Sequence, residues 1–121
     1  MANEISVQIL MSLNNGSLVD SFSKLINVDQ TAAAMVKNVQ GIGFATHAAL
    51  DMGSLTTAGY AVFQNLDDTN YVEVGVDGAG TFYPLIKLEA GEQACLRLTT
   101  SSPYAQANTA AVDLLYVIYE D

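Results

Sequence analysis

The chain is poor in the residues from which catalytic sites are usually built. Its 121 residues contain one histidine, one cysteine and no tryptophan. A single thiol cannot form an internal disulfide, which fits synthesis in a reducing cytoplasm. A catalytic cysteine needs a base beside it, and nothing in the sequence places His47 near Cys95. We therefore expect neither residue to have a partner or a catalytic role.

Positive charge is also scarce. Four lysine and arginine residues stand against thirteen aspartate and glutamate residues, which gives a net charge of −9 and an isoelectric point near 4.1. Because phosphate-backbone binding needs several clustered cations, nucleic acid and anionic membranes are excluded as partners. The acidic excess serves solubility or attraction to a basic protein surface.

Charged residues of either sign reach only 14%, whereas an ordinary globular chain carries about 25%. Hydrophobic residues reach 50%, which excludes intrinsic disorder. No apolar run approaches the ~20 residues of a membrane span, and the N-terminal residues lack the basic start of a secretory signal. A surface so low in charge is typical of a protein that faces other protein.

Two acidic turns are candidate sites. Asp67-Asp68-Thr69-Asn70 lacks the alternate-residue ligands of a calcium loop and the enclosed cleft of an acid–base pair. Asp77-Gly78-Ala79-Gly80 joins two strand-like segments, and its glycine spacing does not fit a phosphate-binding loop. We interpret both as solvated turns, and we expect no catalytic residue, metal or cofactor.

Apolar and polar residues alternate with a period of two through most of the chain, which predicts β-strands. The first such run covers residues 5–11, and Asn15-Gly16 after it predicts a type I′ hairpin turn. Residues 111–119 are apolar on both faces apart from Asp113, so we expect them at the centre of a sheet or against another subunit. Pro84 lacks an N–H, which favours a sheet edge or a bulge.

The segment Thr31–Gln40 is ambiguous because Ala32–Met35 favours helix, and we predict strand because its surroundings are strand-like. With that segment the chain has about eight or nine short strands, separated by turns roughly every ten residues. The sequence thus predicts an all-β fold: one β-sandwich or jelly-roll domain of about eight strands over residues 1–121.

Five strand-and-turn stretches in the second half carry a family resemblance: Gly59–Asp67, Asn70–Gly75, Phe82–Leu88, Ala90–Glu92 and Leu114–Glu120. They resemble the small all-β structural proteins of tailed bacteriophage particles. The resemblance covers residues 55–121 well and the first half loosely, through its Asn15-Gly16-Ser17 hairpin.

The resemblance implies a capsid decoration, or cement, protein that binds the assembled head and stabilises it. Its expected partner is the major capsid protein of the same virus, its place is the capsid surface of the virion, and synthesis occurs in the host bacterial cytoplasm. Such proteins are commonly trimers, and no catalytic residue is implied. The alternatives are a neck, tail or fibre component, and a carbohydrate-binding module for host attachment.

Aromatic residues are enriched in the cores of protein interfaces, whereas aspartate and glutamate are depleted there. The uncharged loop that ends in Pro103-Tyr104 is therefore a candidate protein contact, together with Phe82-Tyr83 if both pairs lie on the same side. The alternative is that Tyr104 covers the edge of its own sandwich. A last strand that is apolar on both faces also predicts a homo-oligomer, most simply a trimer.

Overall fold

The computed structural model describes residues 3–121, in which every regular element is a β-strand. In chain order the strands are β1 Ile5–Asn15, β2 Leu18–Val28, β3 Met35–Ile42, β4 Ala48–Ala49, β5 Ala58–Asn65, β6 Val72–Gly78, β7 Thr81–Leu88, β8 Gln93–Arg97, β9 Tyr104–Ala107 and β10 Val112–Glu120. The antiparallel sheets have the orders β1-β2, β3-β10-β5-β8 and β4-β9-β6-β7. The predicted all-β, sandwich-type fold is confirmed. Within these residues there is no helix of the length and apolarity needed to cross a membrane.

The described residues divide into two compact units that meet in sequence at Ala32 and Ala33. The first unit is the β1–β2 hairpin, and the second contains both four-stranded sheets. The sequence predicted one sandwich over residues 1–121, whereas the sandwich occupies the second unit. The reason is that β1 and β2 pair with each other and form a sheet of their own.

The core of the second unit lies between the inner faces of its two sheets. Strand β10 lies at the centre of one sheet, paired with β3 on one side and β5 on the other, as its two apolar faces predicted. Its alternate residues Leu114, Tyr116 and Ile118 are fully buried. They share one hydrophobic cluster with residues of the opposite sheet, among them Val72 and Ala105.

Strand β7 confirms the expectation for Pro84. It lies at the edge of its sheet, and its pairing with β6 shifts register between Val74 and Gly75, where Gly75 faces Pro84. A Cβ on Gly75 would lie 2.0 Å from the carbonyl oxygen of Tyr83, so this bulge requires glycine.

The segment at residues 31–40, which was ambiguous in the sequence, is a strand from Met35 onward.

The hairpin turn differs from its prediction. Asn15 pairs with Leu18, so the two central residues are Gly16 and Ser17, and Gly16 has a φ of 60°. Ser17, the second central residue, does not have a positive φ, and a positive φ at the first central position alone is typical of a type II′ turn rather than type I′. The type I′ pattern occurs instead between β6 and β7, where Ala79 and Gly80 have φ values of 54° and 87°.

A buried asparagine connects the loops at one end of the sandwich. Asn65, the last residue of β5, is fully buried. Its Nδ2 donates to the carbonyls of Asn70 at 2.8 Å and Leu88 at 3.1 Å, and its Oδ1 accepts from the N–H of Asp67 at 2.9 Å. Because a buried amide is stable only when it is hydrogen-bonded, Asn65 fixes the Asp67–Asn70 turn against the end of β7.

Candidate contact surfaces

Two of the predicted contact residues come together around the single histidine. His47 lies just before β4 and stacks on Phe82 of β7, with ring centroids 5.4 Å apart and an angle of 19° between the planes. The ring of Tyr104 in β9 also contacts His47: their centroids lie 5.5 Å apart, and the two ring planes are tilted by 57°. Phe82 and Tyr104 thus share one half-buried aromatic cluster with His47, formed by three separate segments of one sheet.

An acidic side chain completes this cluster. Asp77 is the direct cross-strand partner of Phe82, so both side chains lie on the same face of the sheet. Its Oδ2 lies 2.6 Å from His47 Nε2, and its Oδ1 accepts from the N–H of Gly80 at 2.8 Å. The hydrogen bond with His47 and then that from Gly80 lower the pKa of Asp77 below its ordinary value.

The expectation that His47 lacks a partner is therefore wrong. The interpretation of the Asp77–Gly80 turn as fully solvated is also wrong, because Asp77 bonds to His47. Both failed because the two residues are 30 positions apart and meet only through the sheet. The pair holds the β6–β7 turn to the segment before β4. Cys95 lies in the other four-stranded sheet, and partial desolvation raises the pKa of its thiol, which favours the unreactive form.

The other two predicted contact residues lie elsewhere. Tyr83 follows Phe82 in the same strand and so points to the opposite face, where its ring covers Gly78 and remains 54% exposed. Pro103 is fully buried, and its carbonyl accepts from the N–H of Leu50 at 3.0 Å. Pro103 is thus unavailable to a partner, which corrects that part of the prediction.

The acidic turn Asp67–Asn70 is exposed at its centre, as predicted.

The sheet β3-β10-β5-β8 has an apolar outer face, on the side opposite the core. On β10, residues 115, 117 and 119 alternate with the buried ones and point outward. The register places Val39 beside Leu115, Val62 beside Val117, and Met35 beside Tyr119. Met35 and Val39 are about half exposed, at 52% and 51%. We call this surface the outer face.

The hairpin carries a second apolar surface. Every residue from Gln8 to Asn27 is exposed, including nine large hydrophobic side chains: Ile9, Leu10, Met11, Leu13, Leu18, Val19, Phe22, Leu25 and Ile26. The register places the odd-numbered residues of β1 on one face with the even-numbered residues of β2. We call this the hairpin's apolar face; its only charged residues are Asp20 and Lys24.

Metal-ligating side chains do not gather into a group of three or more anywhere in residues 3–121. The sequence analysis identified the alternation of β1 without a partner for its apolar side, whereas for the apolar outer side of β10 it offered another subunit. Comparison of the chain with protein-family models, curated proteins and solved structures finds no match.

Proposed function

We propose that this protein is a structural subunit that binds an assembled protein shell, as a capsid decoration protein of a tailed bacteriophage does. The observation that supports assembly is the amount of apolar surface left exposed on the hairpin and the outer face. Exposed apolar patches beyond a few hundred Å² are rare on monomeric proteins and mark interaction sites. The choice of a phage head rests on the strand-and-turn resemblance of residues 55–121.

The mechanism is linkage between binding and assembly. A protein that binds the closed shell, and not its separated subunits, stabilises the shell in proportion to its affinity and concentration. Many copies that each contact neighbouring capsid subunits would raise the temperature or internal pressure at which the shell opens. The low surface charge and rigid β-structure of this chain suit such a role, which needs contacts rather than catalysis.

The direct test compares phage particles made with and without this protein. Particles that lack it should assemble but release DNA at a lower temperature or after osmotic shock, and added purified protein should restore their resistance. The number of copies in each particle should reach the hundreds. Particles that instead lack tails or fail to adsorb, with only a few copies present, would replace this proposal with a neck, tail or fibre role.

The aromatic residues provide the contact test. Tyr83→Ala removes an exposed ring, whereas Tyr104→Ala removes a half-buried one that packs on His47. If the contact lies at Phe82 and Tyr104, Tyr104→Ala folds normally and occupies fewer sites on the particle, while Tyr83→Ala tests the opposite face of the sheet separately. A variant at Leu66, which is exposed just after β5, is the matched control and should load fully. Full occupancy by the Tyr104 variant would contradict the contact at Phe82 and Tyr104.

A further inference from the structure

The hairpin exposes more apolar surface than it can stabilise alone. An isolated two-stranded hairpin is at best marginally stable in water, and a partner for its apolar face is needed. Six of its nine exposed hydrophobic residues lie on that face, and their exposed fractions amount to about three whole side chains, on the order of 500 Å² of surface. One partner contributes about 800 Å² to a protein–protein interface of standard size, of which roughly 60% is apolar, so this face supplies about the apolar area of one side of such an interface.

The chain itself offers a surface of the matching kind. The outer face is apolar along its central strand, and its exposed residues Met35, Val39 and Val62 surround Leu115 and Val117. Three charged side chains lie on it: Lys37 opposite Val117, Asp113 opposite Gly41, and Arg97 on the edge strand β8. Arg97 is already paired with Asp121, which leaves Lys37 and Asp113. Sheets that pack face to face bury alternating apolar side chains in this way.

The charges on the two faces are complementary in sign and spacing. Asp20 and Lys24 are four residues apart on one strand, which places them about 13 Å apart. Lys37 and Asp113 are separated by four residues along the strand direction and by one strand, which is about 14 Å. Each pair has apolar residues between its members: Phe22 on the hairpin, and Val39 with Leu115 on the outer face.

These four charges are also free to pair. Of the four cations in the chain, Lys87 forms an ion pair with Glu89 and Arg97 with Asp121, and each lies over a tyrosine ring. Within residues 3–121, by contrast, Lys24 and Lys37 have no carboxylate partner, and Asp20 and Asp113 no cationic one.

We propose that the β1–β2 hairpin is an assembly arm that packs its apolar face on the outer face of a second copy of this chain. Phe22 packs on Val39 and Leu115, while Asp20 faces Lys37 and Lys24 faces Asp113. Each copy has one arm and one outer face, so the arms are exchanged around a closed ring, such as a dimer or the expected trimer. This deepens the proposed structural role by naming the contact that forms the oligomer, and it does not require a capsid.

The first experiment measures the mass of the purified full-length chain by light scattering and sedimentation at tens of micromolar. The wild-type protein should be an oligomer, and Met11→Ser with Phe22→Ser on the apolar face should yield a monomer with unchanged circular dichroism. The matched control, Leu10→Ser with Val19→Ser, removes equally exposed side chains from the opposite face of the hairpin and should remain oligomeric. A monomeric wild-type protein, or equal effects of the two double variants, would overturn the proposal.

The second experiment tests the register by charge reversal. Asp20→Lys or Lys37→Asp alone should weaken association by at least about tenfold, because each places like charges opposite one another. The double variant Asp20→Lys with Lys37→Asp should recover most of the wild-type affinity. Ser21→Lys, on the hairpin's other face, is the control and should have little effect. A double variant no better than the single ones would contradict the pairing.

Particle binding is measured separately, so the two proposals can fail independently. An oligomer that forms through the arm but does not bind phage heads would leave this inference intact and reject the decoration role. A wild-type monomer whose hairpin variants fail to load on particles would show that another virion protein covers the arm, and the inference would be rejected.

Discussion

The hairpin and the sandwich have the same alternating sequence pattern and opposite environments. On β10, Leu114 and Tyr116 face the second sheet and are fully buried, whereas on the hairpin Met11 and Phe22 are 67% and 54% exposed. The pattern predicts that a segment forms a strand with one apolar face. It does not predict what covers that face. For the sandwich the covering sheet is in the same unit, and for the hairpin we propose a second copy.

The largest contrast should appear when one phenylalanine is removed from each region. Phe63 is fully buried in the sandwich, so Phe63→Ala should lower the free energy of unfolding by about 3–5 kcal/mol. Phe22→Ala should cost less than about 1 kcal/mol in dilute protein, because its ring is exposed there. Urea denaturation at submicromolar concentration measures both. A cost of several kcal/mol for Phe22→Ala under these conditions would show that the hairpin face is covered within the monomer.

The buried amide of Asn65 tests how far the sandwich depends on polar contacts. Asn65→Leu removes its donated and accepted hydrogen bonds and leaves the carbonyl of Leu88 without this donor. We expect a loss of about 2–4 kcal/mol, since buried unpaired polar groups cost about 1–3 kcal/mol each. Gln64→Leu, at the preceding position of the same strand, is the control and should change stability little. An effect of Asn65→Leu as small as that of Gln64→Leu in thermal denaturation would contradict a stabilising role for these hydrogen bonds.

Local signals were sufficient for several features of the fold. Pro84 predicted an edge or a bulge because it lacks an N–H, and residues 111–119 predicted a central strand because both their faces are apolar. The Asp67–Asn70 turn followed from side chains that bond their own backbone, and Asp67 does accept the N–H groups of Thr69 and Asn70. Each of these depends on chemistry within a few residues.

The features that were missed depend on contacts distant in sequence. His47 and Asp77 meet only because β4, β9, β6 and β7 share one sheet, and no periodicity encodes that order. Pro103 was predicted at a protein contact because it lies in an uncharged loop that ends in an aromatic residue, but its carbonyl accepts from Leu50 and the residue is buried. Even the hairpin turn changed type when pairing of Asn15 with Leu18 moved the centre by one residue.

A smaller difference between the regions should appear in acid. The pKa of Asp67 is lowered, first by the N–H of Asn70 and then by that of Thr69, and the pKa of Asp77 is lowered first by His47. Because the folded-state pKa values lie below the ordinary 3.8, both carboxylates stabilise the sandwich above that pH, and the contribution is lost as pH falls through the lowered values.

Thermal denaturation between about pH 5 and pH 2 measures this dependence. Asp67→Asn and Asp77→Asn should each be less stable at the upper end and lose less stability on acidification than the wild-type protein. Asp20→Asn on the hairpin removes an exposed carboxylate that lacks these bonds, and it serves as the control. An unchanged pH dependence in both sandwich variants would contradict the assignment.

The two hairpin turns give the smallest and sharpest comparison. The turn of the arm has glycine at its positive-φ position, whereas the β6–β7 turn of the sandwich has Ala79 at a φ of 54°. A Cβ in this left-handed conformation costs roughly 1–2 kcal/mol, and glycine avoids it at a smaller entropic cost. Ala79→Gly should therefore stabilise the sandwich by about 0.5–1 kcal/mol, while Gly16→Ala should weaken the arm by a similar amount.

Ala110→Gly is the control for these variants, because Ala110 is an exposed loop residue without a positive φ, and it should be slightly destabilising. Denaturation midpoints for the sandwich and amide exchange for the arm measure these effects, and a destabilising Ala79→Gly would show that the turn does not hold its alanine in a strained conformation.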